Sequence, residues 1–144
     1  MARLIEDEAG ISALVNGLKR VAVLGIKTEA QSGQPAFSVP QYMQRVGVEV
    51  VPVPVYYPEV TQILGQPVFR TLAAIPGELD LVDVFRRPQD IDQHVDDIIA
   101  KRPKAVWFQL GIRNDEAAKK LVEAGIDVVQ DRCLLIEHSK FASK

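Results

Sequence analysis

Cysteine is almost missing from this chain of 144 residues. Cys133 is the only one, which excludes an internal disulfide and fits a reducing compartment. Histidine is nearly as scarce, at two copies, and aromatic residues make up 6%. That leaves too few soft ligands for a structural metal site. No apolar run approaches the roughly 20 residues needed to cross a bilayer. Neither sign of charge dominates, with 17 basic and 19 acidic residues and a formal charge of −2. That balance argues against a broad basic surface for DNA or RNA and leaves room for a small basic pocket. The segment Met1 to Gly10 lacks the apolar core of a signal peptide. A cytoplasmic protein that contacts neither nucleic acid nor membrane is expected. No long linker, low-complexity tract or internal repeat divides it. The length suits one domain over residues 1–144 with a sizeable core.

What is present is an alternation of strand and helix patterns. Ile11, Leu14, Val15 and Leu18 share one helical face. Arg20 to Leu24 reads as the first strand, followed by a small, polar loop from Ile26 to Ala36. Val39, Tyr42, Met43 and Val46 form a second helical stripe, closed by Gly47 at the C′ position. Val48 to Val53 is the second strand, completing a βαβ unit. Between Pro54 and Pro76 the pattern weakens. Short helical turns are expected there, with a short strand near Val68. Leu81 to Phe85 is almost continuously apolar, as a strand covered on both faces should be. A helix bearing Ile91, Val95, Ile98 and Ile99 follows, and then a strand from Ala105 to Gln109. Asn114 caps the next helix, with Ala117, Ala118, Leu121 and Val122 facing inward and Gly125 ending it. Ile126 to Val129 is the last strand, and Cys133 to Phe141 a final helix. The expected fold is α/β: a three-layer, Rossmann-like domain with a mainly parallel sheet of about five strands. The expected strand order is 3-2-1-4-5.

In open α/β sheets, ligands collect outside the carboxyl ends of the strands. Three such ends carry suitable residues. After the first strand come Gly25, Ile26 and Lys27. Gly25 permits close backbone approach, Lys27 adds a point charge, and a helix N-terminus near Phe37 and Ser38 offers N–H groups to a phosphate. A plain surface turn would also need the glycine, and G-x-G-x-x-G is absent. At the end of the second strand, Pro52, Pro54 and Tyr56 form either an apolar wall for an adenine or a rigid packed turn, and Val53 beside them is a further candidate contact. No acid stands there to hold ribose hydroxyls, which disfavours a conventional NAD site. After the third strand, Phe85 leads into Arg86 and Arg87. Their guanidinium groups suit phosphate, or else form salt bridges with Asp90 or Asp92; their position favours a ligand role for at least one. Gln109 and Gly111 end the neighbouring strand with an amide and a close-approach backbone, and Trp107 belongs to the core.

Catalytic constellations are thin. His94 sits among acids on a helix, where solvation is expected, and Asp90, Asp92, Asp96 and Asp97 read as a solvated face. Cys133 and His138 lie five positions apart, a poor spacing for one helical face. Cys133 opens an apolar segment, so a buried, structural role is expected of it.

Taken in order, Val23-Leu24-Gly25, Val50-Val51-Pro52-Val53, Ile63-Leu64-Gly65, Asp83-Val84-Phe85-Arg86-Arg87, Val106-Trp107-Phe108-Gln109-Leu110-Gly111, Asp131-Arg132-Cys133 and Ile136-Glu137-His138 form a specific series. The chain resembles, from about Val21 to Phe141, the small stand-alone proteins of the Rossmann-like CoA-binding domain family. That resemblance implies CoA, or an acyl-CoA, held across the strand ends with its ADP part near the first loop. Related domains occur in succinyl-CoA synthetase α-subunits, where a second domain supplies a phosphorylated histidine. This chain is expected to be the CoA-holding half without the catalytic half. Where family members often read Val-Asn-Pro after the second strand, this chain has Pro54-Val55 and no side-chain amide. The Asp131-Arg132-Cys133 and Ile136-Glu137-His138 segments are expected to shape the sheet edge and the final helix. Two other functions stay open: a transferase component that needs a partner for acyl-CoA or nucleotide chemistry, and a module whose protein contacts respond to CoA or NAD(H).

Overall fold

The computed structural model describes residues 2–142. In chain order it contains helix α1 (Glu8–Asn16), strands β1 (Arg20–Leu24) and β2 (Glu49–Val53) with α2 (Pro35–Arg45) between them, and two short strands, β3 (Gln62–Ile63) and β4 (Gln66–Pro67). Then come β5 (Leu81–Val84), α3 (Val95–Lys101), β6 (Ala105–Phe108), α4 (Asp115–Glu123), β7 (Asp127–Val129) and α5 (Leu134–Phe141).

Period-two alternation assigns each strand residue to a face. Val21, Val23, Leu81 and Trp107 turn toward α1, α2 and α5, where they bury Ile11, Phe37, Met43 and Leu134. Ala22, Leu24, Val82, Val84 and Phe108 turn the other way, against Ile98 of α3 and Leu121 of α4. Two apolar layers thus sandwich one sheet, and all its strand pairings are parallel. This is the three-layer Rossmann-like arrangement expected from the strand and helix spacing.

The sheet order is β2-β1-β5-β6-β7. This corrects the expected order: the third long strand, β5, lies between β1 and β6 rather than outside β2. Proline explains why. Pro52 in β2 has no N–H, and its carbonyl faces outward to accept from Phe69 N–H at 3.0 Å. A full ladder cannot form along an edge that lacks a donor, so β2 ends the sheet. At the opposite edge the segment before α1 adds a parallel bridge, Leu4 to Val128.

Further corrections concern the connections. Between Pro54 and Pro76 the described chain has no helix; it forms the β3–β4 hairpin. Leu64 and Gly65 both adopt positive φ, 54° and 74°, as a two-residue hairpin turn of this hand requires. The helix expected around Ile91 begins as two 3₁₀ turns, Pro88–Asp90 and Asp92–His94, and becomes α only at Val95. Asn114 does cap α4, its side chain accepting from Ala117 N–H at 3.0 Å. No helix among the described residues is long and apolar enough to cross a membrane.

Asp83 is the exception to the apolar sheet. It lies fully buried in the middle of β5, on the Leu81 face, with neither carboxylate oxygen hydrogen-bonded among the described residues. Burial pushes its carboxyl well above the ordinary range. The native state therefore holds a proton that the unfolded chain releases near pH 3.8. The stability this contributes is complete below that pH and is lost as pH rises toward the raised native value. Asp83→Asn, which cannot ionise, should be more stable than the parent at neutral pH. Urea unfolding across pH 4–8 should show the gap widening by about 1.4 kcal/mol per pH unit until the buried carboxyl ionises. A gap that does not change with pH would contradict this assignment.

Candidate functional site

From β1 the chain passes to α2 on one face of the sheet; from β5 it passes to α3 on the other. The connections reverse sides between these two adjacent strands, so a crevice opens outside their carboxyl ends. A cavity of about 490 Å³ occupies it, lined by residues 34–36, 85–88 and 109–112 together with Lys27 and Cys133. That volume is within the roughly 300–1,000 Å³ usual for small-molecule sites.

The crevice is set by how closely two backbones approach. Gly25 has φ +86°, and a Cβ placed on it would lie 2.3 Å from the Phe85 carbonyl oxygen. Its N–H donates to Val53 O at 2.9 Å, while Phe85 N–H donates to Leu24 O at 2.9 Å. Both ladders therefore continue one step past the strands, and the chain turns away from the sheet only beyond them. The loop after β5 is anchored from the far side, where the Asn114 side chain donates to Pro88 O at 3.0 Å. Asn114 N–H in turn donates to Gln130 Oε1 at 2.7 Å.

Arg86 dominates the electrostatics. It is only 9% exposed yet lines the cavity. Its Nε donates to His94 Nε2 at 3.1 Å and its Nη1 to Tyr56 Oη at 3.4 Å, with the Tyr56 ring centroid 5.7 Å from the guanidinium carbon. Both partners are neutral, and no described carboxylate pairs with this charge. Accepting at Nε2 places the His94 proton on Nδ1. Burial, reinforced by the Arg86 charge, holds His94 below its ordinary value, against the opposing pull of Asp97 and Asp90. Arg87 behaves differently: it is 72% exposed and paired with Asp90 at 2.8 Å. Lys27 donates its Nζ to Gln34 Oε1. Three cations thus line the cavity, and no carboxylate does.

Gln109 supplies the polar group of the opposite wall. Its Oε1 accepts from Leu134 N–H at 3.0 Å, which fixes the start of α5, and its Nε2 has no partner among the described residues. Gly111 N–H donates to Asp131 Oδ1 at 2.6 Å, and Trp107 Nε1 to Arg132 O at 2.8 Å. The Asp131-Arg132-Cys133 corner is thereby tied to β6, and Trp107 is core as expected.

Comparison with known proteins identifies this arrangement. The CoA binding domain family matches residues 19–139. The chain belongs to that family. A Bacillus subtilis (strain 168) relative, the uncharacterized protein YneT, is 30% identical over 92% of this chain and 95% of its own. A solved Thermus thermophilus structure, cell-free ID.343, is 36% identical with a TM-score of 0.85, covering 94% of this chain and 99% of that one. A hypothetical protein from Pyrococcus horikoshii OT3 is 30% identical with a TM-score of 0.84, over 98% and 97% of the two chains. Membership of the CoA binding domain family supports CoA binding by this chain.

Of the residues singled out from the sequence, Lys27, Phe85, Arg86, Arg87, Gln109 and Gly111 meet at the cavity of this CoA binding domain. Gly25 sits behind its wall, and Ile26 points into the core on the α2 side. Val53 and Pro54 are buried at the end of β2, whereas Tyr56 is 62% exposed and reaches the site through Arg86. Ser38 lies within α2, its N–H bonded to Gln34 O. The helix starts two residues or more before the expected position because Pro35 fits its first turn, which places Ala36 rather than Ser38 at the cavity.

Three expectations about reactive and charged residues need correction. His94 is half-buried against Arg86 rather than solvated. Asp97 is not merely a solvated acid, since it accepts from Leu72 and Ala73 N–H at 2.7 and 3.0 Å. Cys133 is half-buried instead of buried, because it is the N-cap of α5 where that helix opens onto the cavity. His138 does not pair with it; its Nδ1 and Tyr42 Oη share a hydrogen bond of 3.0 Å. Among the described residues no group of three His, Cys, Asp or Glu side chains could hold a metal.

The Gly25 crossing yields a direct test. Gly25→Ala introduces both a positive-φ alanine and a clash with the Phe85 carbonyl, and should cost roughly 2–4 kcal/mol in urea unfolding. Stability equal to that of the parent would show that the crossing tolerates a side chain.

Proposed function

We propose that this chain binds CoA in the crevice between the ends of β1, β5 and β6, with the phosphates facing Lys27, Arg86 and Arg87. The observation that carries the proposal is Arg86. A guanidinium nine-tenths buried, with only neutral partners, is costly in the absence of an anion. A phosphate in the crevice supplies that anion through charge-assisted hydrogen bonds.

CoA is preferred to NAD in this proposal. The end of β2 reads Val53-Pro54-Val55 and carries no acid for a ribose. Free CoA and its acyl forms share the phosphates and the amide-bearing arm, and both are ligands on this proposal. The chain is a carrier or sensor without catalysis of its own. The described cavity lining holds no histidine or carboxylate that could serve as a general base. A cytoplasmic setting, where CoA is abundant and thiols stay reduced, fits the single cysteine.

Isothermal titration calorimetry under matched salt and with reductant tests this proposal. CoA should bind more tightly than NAD. Arg86→Ala should weaken CoA by about 1.5–3 kcal/mol, the scale of a charged hydrogen bond. Its circular dichroism should be unchanged, since the lost charge has no ion-pair partner. Arg87→Ala should lose less, its charge being exposed and already paired with Asp90. NAD binding as tight as CoA binding, or full CoA affinity in Arg86→Ala, would contradict the proposal.

A further inference from the structure

The same cavity contains a thiol that ligand binding alone does not require. Cys133 lines it at the N-cap of α5 and makes no side-chain capping bond. Two observations independent of the cysteine mark this cavity as one built for a ligand. Arg86 is nine-tenths buried and lacks a counter-ion, and Gln109, 3% exposed, keeps its amide Nε2 unpartnered among the described residues. The cations belong to the loops after β1 and β5, while Gln109 and Cys133 lie beyond β6 and β7. An anion site, an amide donor and a thiol therefore share one cavity. CoA carries phosphates at one end, amide carbonyls along its arm and a thiol at the other end.

Resting on the CoA reading above, we propose that Cys133 is a covalent anchor that captures CoA from its disulfide form by thiol–disulfide exchange. The Cys133 thiolate attacks one sulfur of CoA disulfide. The Cys133–CoA sulfur–sulfur bond forms as the original one breaks, and the second CoA departs as a thiolate that takes up the proton Cys133 gave up. One disulfide is consumed and one is made, so no outside oxidant is needed. The cavity lining holds cations and no carboxylate, a setting that favours the negative charge moved onto the departing CoA sulfur. Two equivalents of a small thiol, leaving as their own disulfide, later restore the Cys133 thiol and return free CoA. The protein would thus hold CoA in two forms, one reversible by dilution and one reversible only by reduction.

Intact-mass spectrometry of the full chain tests this, after incubation with CoA disulfide or, at equal concentration, with oxidised glutathione. The expected result is a gain of one CoA less two hydrogens, absent in Cys133→Ser and lost on adding dithiothreitol. It should form at least about tenfold faster than the glutathione adduct, the ratio that 1.4 kcal/mol of site recognition gives. In Arg86→Ala that advantage should shrink toward unity. Equal rates with the two disulfides would overturn the proposal by making Cys133 merely an accessible thiol. No CoA adduct in protein that binds reduced CoA by calorimetry would overturn it and leave the binding function standing. Absence of both adduct and binding would remove the two together.

Discussion

The approach of Gly25 to the Phe85 carbonyl holds the carboxyl end of the sheet together. β1 and β5 are neighbours in space although about sixty residues apart in sequence, and their loops depart to opposite faces of the sheet. With 2.3 Å between a hypothetical Cβ and the carbonyl oxygen, only glycine lets both ladders run on past Leu24 and Val84. That contact fixes where Phe85 ends and therefore where Arg86 begins. A side chain at position 25 would push the two loops apart and open the crevice from its base.

Around this crossing the protein concentrates positive charge without balancing it. Arg86 is held by a neutral imidazole and a phenol, and Lys27 by a side-chain amide. Only Arg87 meets a carboxylate, and it does so in solvent. Holding Arg86 in place through His94 links the cavity to acidity. His94 must stay neutral to accept from Arg86, and acid protonates it against its own burial and the Arg86 charge. Another cavity, of about 450 Å³, lies at the opposite end of the sheet, where Arg3, Lys104, Asp80 and Asp127 mix both signs. It has no buried unpaired cation comparable to Arg86, and it lies at the amino ends of the strands, away from the switch point.

Much of the fold was legible because strand and helix periods differ so clearly. The buried run Leu81 to Val84, the Asn114 cap and the stripe ending at Gly47 all correspond to elements of the structure. The strand order was also present in the residues, in Pro52, whose missing donor marks an edge strand, but its meaning depends on which way its carbonyl points. The hairpin at Leu64-Gly65 was hidden because a leucine at positive φ contradicts local preference. At the site, residues at strand ends could be named because the switch-point rule places them. Pairings between separate elements could not. Arg86 with His94, Gln109 with Leu134 N–H, and Cys133 facing the same cavity as Lys27 are all set by tertiary packing.

Where the ligand sits decides between the two ends of the sheet, and amide chemical-shift mapping by NMR reads that position residue by residue. On titration of CoA into the reduced protein, the largest changes should cluster at Lys27, Ala36, Arg86, Arg87, Gln109, Gly111 and Cys133. The cavity at the opposite end should stay quiet at Gly10, Leu14, Lys104 and Asp127. Shifts concentrated in that second group, with the carboxyl-end loops unmoved, would put CoA at the amino ends of the strands and rule out the crevice as its site.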